Sequence, residues 1–227
     1  MPIAHFLVFT CEPGVAEALR AQVGAGPQAA LERLPGIERM DAYTPAPSSD
    51  PYVDDGPGPA LTLQICYRDL RALESALASP VLASLARAVP RNARVVHDAM
   101  EMQFYPVAGE RAPADWAAPI SYVVRYQRPA EDERAFVAFY TEGHPPLLGR
   151  LPGIRNIMCY LPIAWRDPSG LERADYLLGN EVVFDSIEAL NAALASPVRD
   201  ALREDFHRFP PFSGRNTHYA MLRRRLR

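Results

Sequence analysis

The chain has 227 residues, a net charge of −3, and 48% hydrophobic against 22% charged residues, values usual for a soluble globular protein of one large domain or two of about 100 residues. No basic face accompanies the terminal Arg223, Arg224, Arg225 and Arg227, so nucleic acid is not an expected partner. No apolar run is long enough to span a membrane, none has signal-peptide form, and Cys11, Cys66 and Cys159 are odd in number, so no disulfide framework or membrane association is expected and the expected compartment is cytoplasmic.

Residues 3–10, IAHFLVFT, are apolar and rich in β-formers, and Glu12 and Pro13 close them as a strand. Residues 13–30 carry helix formers, with Val15, Ala18, Leu19 and Val23 at helical spacing. The string RLPGI, Arg33 to Ile37, then breaks the helix and leads into a second strand over 37–45, because proline fixes φ and glycine accepts positive φ. A proline- and glycine-rich loop follows, in which Asp54 and Asp55 read as solvent-facing, and residues 61–67 form a third strand. Asp69 is placed to cap a helix over 70–88 that Ser79-Pro80 divides in two, and a fourth strand occupies 95–105.

The whole order is then written a second time. RLPGI recurs at Arg150 to Ile154 and ALASPV, residues 76–81, recurs at 193–198, both at an offset of 117 (34 to 151, 76 to 193). In that register the second copy has strands at 120–127, 154–162, 176–184 and 218–226, with helices at 131–148 and 187–206. Ser186 caps the latter, and Ser196-Pro197 divides it. His97-x-Ala99-Met100 matches His218-x-Ala220-Met221 at an offset of 121 (97 to 218), so the second copy gains a short insertion after Val198.

Strand, helix, strand, strand, helix, strand is the order of the ferredoxin-like split βαβ. The predicted fold class is α+β, with two ferredoxin-like βαββαβ halves packed sheet to sheet as an internal pseudo-dimeric α+β barrel, since each half would otherwise leave an apolar sheet face in water. The expected division is residues 1–108, a linker at 109–119 (GERAPADWAAP), and residues 120–227. Internal pairing permits a monomer, and sheet edges left free would permit a homodimer.

Function is sought where the copies differ. His144 of the second copy faces Pro27 in the first, and lies on one helical stripe with Phe136 and Tyr140. It is either satisfied at a helix end or a general acid or base titrating near neutrality. Tyr140, one turn earlier, either fills the core or donates to a developing oxyanion. Asp205 either caps and pairs locally or orients the imidazole. These three are the candidate catalytic residues. Arg125, Phe136 and Tyr160 are the candidate substrate-binding residues: Arg125 interrupts an apolar strand and would hold a carboxylate or phenolate if it points inward, whereas Tyr160 recurs as Tyr43, which favours a structural role. His97 and His218 recur and read as structural, while His5 and His207 read as isolated. No metal site is expected, and no dinucleotide, P-loop or serine-hydrolase motif is present in the sequence.

The second copy resembles the EthD-like members of the dimeric α+β barrel proteins, through YVVRYQRPAEDERAFVAFYTEGHPPLLGRLPGIRNI, DSIEALNAAL and DFHRF. The residues that carry the likeness are Tyr140, His144 and Pro146, Leu151-Pro152-Gly153, and Asp205 to Phe209. The sequence departs from that pattern at Tyr140, where tryptophan is common, and at Ile157, where an aromatic residue is. The first copy lacks the histidine. The resemblance implies paired barrels with a pocket for a small hydrophobic molecule, and no redox cofactor motif. It links them to ether degradation and to decarboxylases, dehydratases and isomerases of aromatic or polyketide compounds. The expected function is therefore a cofactor-independent enzyme with one site per chain, acting by proton transfer at His144. The alternatives are a non-catalytic binding or accessory protein for a hydrophobic ligand and a haem-binding barrel with His144 as axial ligand.

Overall fold

The computed structural model describes residues 2–109 and 118–227; most of the expected linker, residues 110–117, lies outside the described residues. In the first half β1 (Ile3–Cys11), β2 (Ile37–Pro45), β3 (Leu61–Tyr67) and β4 (Ala93–Tyr105) alternate with α1 (Ala16–Ala25), α2 (Pro27–Glu32), α3 (Leu70–Leu77) and α4 (Pro80–Ala88). The second half has β5 (Ile120–Gln127), α5 (Glu133–Leu148), β6 (Ile154–Pro162), a two-residue β7 (Glu172–Arg173), β8 (Tyr176–Phe184), α6 (Ile187–Leu194), α7 (Val198–Phe206) and β9 (Asn216–Arg225).

Each half has its strands in the ferredoxin-like order, and the halves close on each other. The ring runs β1, β3, β2, β9, β5, β8, β6, β4 and returns to β1, every one of these pairings antiparallel. Closure is made at the edges, by β2 on β9 with Tyr43 opposite Arg223 and by β4 on β6 with Met102 opposite Tyr160. The two bare faces thus turn inward as a barrel wall, and the four edges that an open pair of sheets would leave are consumed. The helices cover the outside.

Strand alternation sorts the side chains into three cores. Leu7 and Phe9 of β1 face the first-half helices, Tyr122 and Tyr126 of β5 face the second-half helices, and Phe6, Met100, Met158 and Tyr160 face the lumen. Burying a leucine such as Leu63 or Leu177 completely contributes about 1.5–3 kcal/mol, and both outer cores are built of such residues.

Local chemistry explains most boundaries. Asp69, Asp132 and Ser186 each accept from a backbone N–H in the first turn of α3, α5 and α6, at 2.8, 2.9 and 3.2 Å. The glycines of both RLPGI strings have positive φ, +80° at Gly36 and +72° at Gly153, as the turn into β2 and β6 requires. The helix expected over 13–30 is interrupted. It breaks at Gly26, with Pro27 starting α2, because glycine gives the helix little support and proline is favoured at a helix's first position. In α5 the counterpart glycine is followed by His144 and the helix runs on through Pro145 and Pro146, ending at Leu148. The pairing of β7 with β4 has no counterpart in the first copy's loop.

Candidate functional site

The helix α5 lays Phe136, Tyr140 and His144 against the outer face of the second-half sheet, all buried. The His144 ring leans on Tyr140 at a centroid distance of 4.8 Å and meets the edge of Phe209 at 5.3 Å. From α7 comes Asp205, 6% exposed, whose Oδ2 accepts from Nδ1 of His144 at 2.9 Å. That bond fixes the tautomer, leaving Nε2 with the lone pair. Burial lowers the His144 pKa below its ordinary 6.5 against the opposing pull of Asp205, so the ring is neutral at pH 7 and competent as a base. Burial also raises the Tyr140 pKa well above 10. Its hydroxyl therefore keeps its proton, and it has no hydrogen-bond partner among the described residues.

The other side of the site is built by the first half. The loop at 46–60 crosses onto the second half, where Asp55 Oδ2 accepts from both the backbone N–H of His218, at 2.8 Å, and its Nδ1, at 3.0 Å. Asp50 of the same loop accepts from the Tyr122 hydroxyl at 2.5 Å and from Arg199 Nη2 at 2.9 Å. His218, too, is held below its ordinary pKa by burial. Two histidines, each with an aspartate on Nδ1, thus flank one cavity. It consists of two adjoining clefts of about 450 and 670 Å³, counted to their open mouths, and His144, Tyr126, Arg199, Leu202 and His218 line both.

The structure brings His144, Tyr140 and Asp205 together. It does not bring the other three candidates to them. Phe136 packs among Tyr126, Phe209 and Phe212, with ring centroids 5.1–5.6 Å away, and lines neither cleft. Arg125 and Tyr160 point into the lumen, across the sheet from His144, because Arg125 alternates with Val124 and Tyr126 along β5. Three further expectations are corrected. His218 is no mere strand residue but a wall of the cavity. Asp55 is not solvent-facing, since closure of the barrel folds its loop inward onto His218. His5 is not isolated: its Nε2 lies 3.0 Å from Nδ1 of His97, whose Nε2 lies 2.9 Å from Asp167 on the second half's crossing loop. The two loops cross reciprocally, each supplying an aspartate to the other half's recurrent histidine. The recurrence of His97 and His218 was the available signal, and it points to this shared arrangement rather than to a role inside one strand.

Residues 128–211, which hold α5, His144 and Asp205, match the EthD domain family. The second half carries an EthD domain. Around it the full chain has the fold of two-domain α+β barrels. An anthrone oxidase-like protein is 16% identical, with 99% of this chain and 92% of that one covered and a TM-score of 0.63. A candidate monooxygenase from Lactobacillus acidophilus NCFM is 10% identical over 98% and 93% of the two chains, with a TM-score of 0.53. A mutant chlorite dismutase from Candidatus Nitrospira defluvii, in complex with cyanide, is 16% identical over 97% and 90%, with a TM-score of 0.50. At these identities the likeness is one of fold. No curated protein matches the sequence.

The EthD domain's cavity suits a small molecule better than haem. An axial histidine wants a carboxylate on Nδ1, which His144 has. A flat macrocycle at His144, however, would have to share the space with Tyr126, Leu202 and His218, which line both clefts beside it. Of the arginines lining the clefts, Arg199 is already committed to Asp50 and Arg203 lies over the Tyr52 ring at 4.1 Å. The residues present do not fit the group, and no step is derived through it. Among the described residues no helix is long and apolar enough to cross a membrane.

Proposed function

We propose that the EthD-domain cavity is the active site of a cofactor-independent enzyme that moves a proton at carbon on a small aromatic or polyketide-like compound. The observation that carries this reading is the pair of His144 and Asp205: Nδ1–H is tied to the carboxylate, so Nε2 is left as a base at the cavity wall. A C–H proton passes to Nε2, and its electron pair moves into the ring system as an enolate or phenolate. The imidazolium so formed is stabilised by Asp205. The negative oxygen is accommodated by the Tyr140 hydroxyl, a donor with no partner among the described residues that lines the cleft of about 450 Å³. His218 with Asp55 supplies a second group that can accept or return a proton from the facing wall.

The structural neighbour named as anthrone oxidase-like suggests the first compound to try. An anthrone has an acidic C–H between two aryl rings and opposite a carbonyl, and its carbanion is open to dioxygen without a metal. The test is exchange of that hydrogen in D2O, followed by NMR. Wild type should catalyse it, and His144→Ala should lose about 10²–10⁴-fold; exchange unchanged in the variant overturns the reading. Saturable binding with no exchange in wild type favours instead a carrier of such compounds.

A further inference from the structure

We propose that the barrel lumen holds a second binding site, for a small apolar monocarboxylate, with Arg125 as its anchor. This site is separate from the cavity at His144, since the sheet divides them, and the proposal does not depend on the reaction there. Its basis is an unpaired buried cation facing an open cleft. Arg125 is 8% exposed, and its Nη1 donates to the carbonyl of Val124 at 2.9 Å, with that of Asn180 at 3.4 Å. A guanidinium carries five N–H donors. Those on Nε and Nη2 reach no acceptor among the described residues, and no carboxylate of those residues pairs with the group. Of the carboxylates that share the lumen, Asp41 is held by Arg39 at 2.9 Å, and Glu181, which lines the same cleft, accepts from the hydroxyls of Ser121, Tyr160 and Tyr43. Asp98 accepts from the backbone N–H of Ala99 at 2.8 Å and acts on Arg125 from beyond ion-pair distance.

The guanidinium is also held in place. Its carbon lies 4.5 Å from the Phe6 ring centroid and 4.9 Å from that of Tyr160, so two aromatic faces fix its plane. Gly179 makes the room: a Cβ there would stand 2.7 Å from Nη1. In front of it is a cleft of about 460 Å³, counted to its mouth, with Val8 and Met221 among its apolar walls and half-buried Thr62, Val123 and Tyr219 towards the opening. A buried cation without a counter-ion is costly, and a planar fork of donors matches a carboxylate with two parallel bonds. The apolar walls ask for a hydrocarbon body behind that carboxylate. A benzoate-sized acid meets both demands.

The test uses 4-fluorobenzoate with the full chain, followed by 19F NMR, and circular dichroism to confirm folding of each variant. Wild type should bind it saturably, and the neutral 4-fluorobenzamide should not compete. Arg125→Gln should weaken binding at least tenfold, whereas His144→Ala should leave it unchanged. Should Arg125→Gln fail to fold, Val123→Trp, which narrows the mouth and keeps the cation, should exclude the probe. No binding by wild type, binding retained in folded Arg125→Gln or in Val123→Trp, or binding lost in folded His144→Ala each overturns the proposal.

Discussion

Asp55, on a loop of the first half, accepts hydrogen bonds from both the backbone N–H and the Nδ1 of His218, on the last strand of the second. The cavity beside the EthD-domain histidine is therefore completed by the other half of the chain. Asp55→Ala removes the oxygen that accepts both bonds and leaves the His218 ring unoriented. The expected result is a fall in exchange activity of about 10–100-fold, measured on a variant that circular dichroism shows to be folded. Activity equal to wild type would show that His218 does not take part.

Asp205 acts on His144 in the same way but from a more buried position. Asp205→Asn keeps the shape yet can present its NH2 to Nδ1 and favour the opposite tautomer, taking the lone pair away from Nε2. Turnover should fall more than substrate affinity, by about 10²-fold or more in kcat, and rescue by Asp205→Glu in part would fit an orienting carboxylate. A change confined to KM would contradict the assignment.

Stability should depend on pH with two opposing signs. His5 is pushed down to about 3 by burial, and His97, His144 and His218 are also lowered chiefly by burial. Their neutral forms are favoured in the folded state, so their share of stability is present above about 6.5, the unfolded value, and is lost as pH falls through that value towards the folded ones. Asp98, pushed up to about 7 by burial, works the other way: its share is present below its ordinary 3.8 and is lost as pH rises through about 7. The stability of Asp98→Asn relative to wild type should therefore rise from pH 5 to pH 8.5, by on the order of 1–3 kcal/mol. Melting curves of both proteins across that range decide it; a constant difference would mean that Asp98 ionises normally.

Helix α5 positions His144, and its first turn is capped by Asp132, which accepts from the N–H of Ala135 at 2.9 Å. Asp132→Ala should lower stability by about 1 kcal/mol in a denaturant titration, without changing the slope.

Hemin titrated into the purified protein should give no shifted Soret band that depends on His144, because Tyr126, Leu202 and His218 crowd the space beside it. A shifted band present in wild type and absent in His144→Ala would reverse that conclusion and place iron at Nε2.

The repeat alone determined the architecture. RLPGI and ALASPV at a common offset placed the strands over 37–45, 61–67, 120–127, 154–162 and 176–184, and the structure has strands with those bounds. Short-range chemistry was equally legible: the caps at Asp69 and Ser186, the breaks at Ser79-Pro80 and Ser196-Pro197, and the stripe of Phe136, Tyr140 and His144, because each depends on neighbours within one or two helical turns. Alternation along β5 also contained the separation of Arg125 from Tyr126 onto opposite faces, although it does not say which face looks on helices and which on a lumen. Only the tertiary structure decided that. Closure of the ring through β2 on β9 and β4 on β6 is what carries the loop at 46–60 onto the second half and sets Asp55 against His218, residues 163 positions apart. A local pattern has no bearing on such a contact. It arises because two sheets bury their faces and edges together, and the loops between their strands must cross the seam.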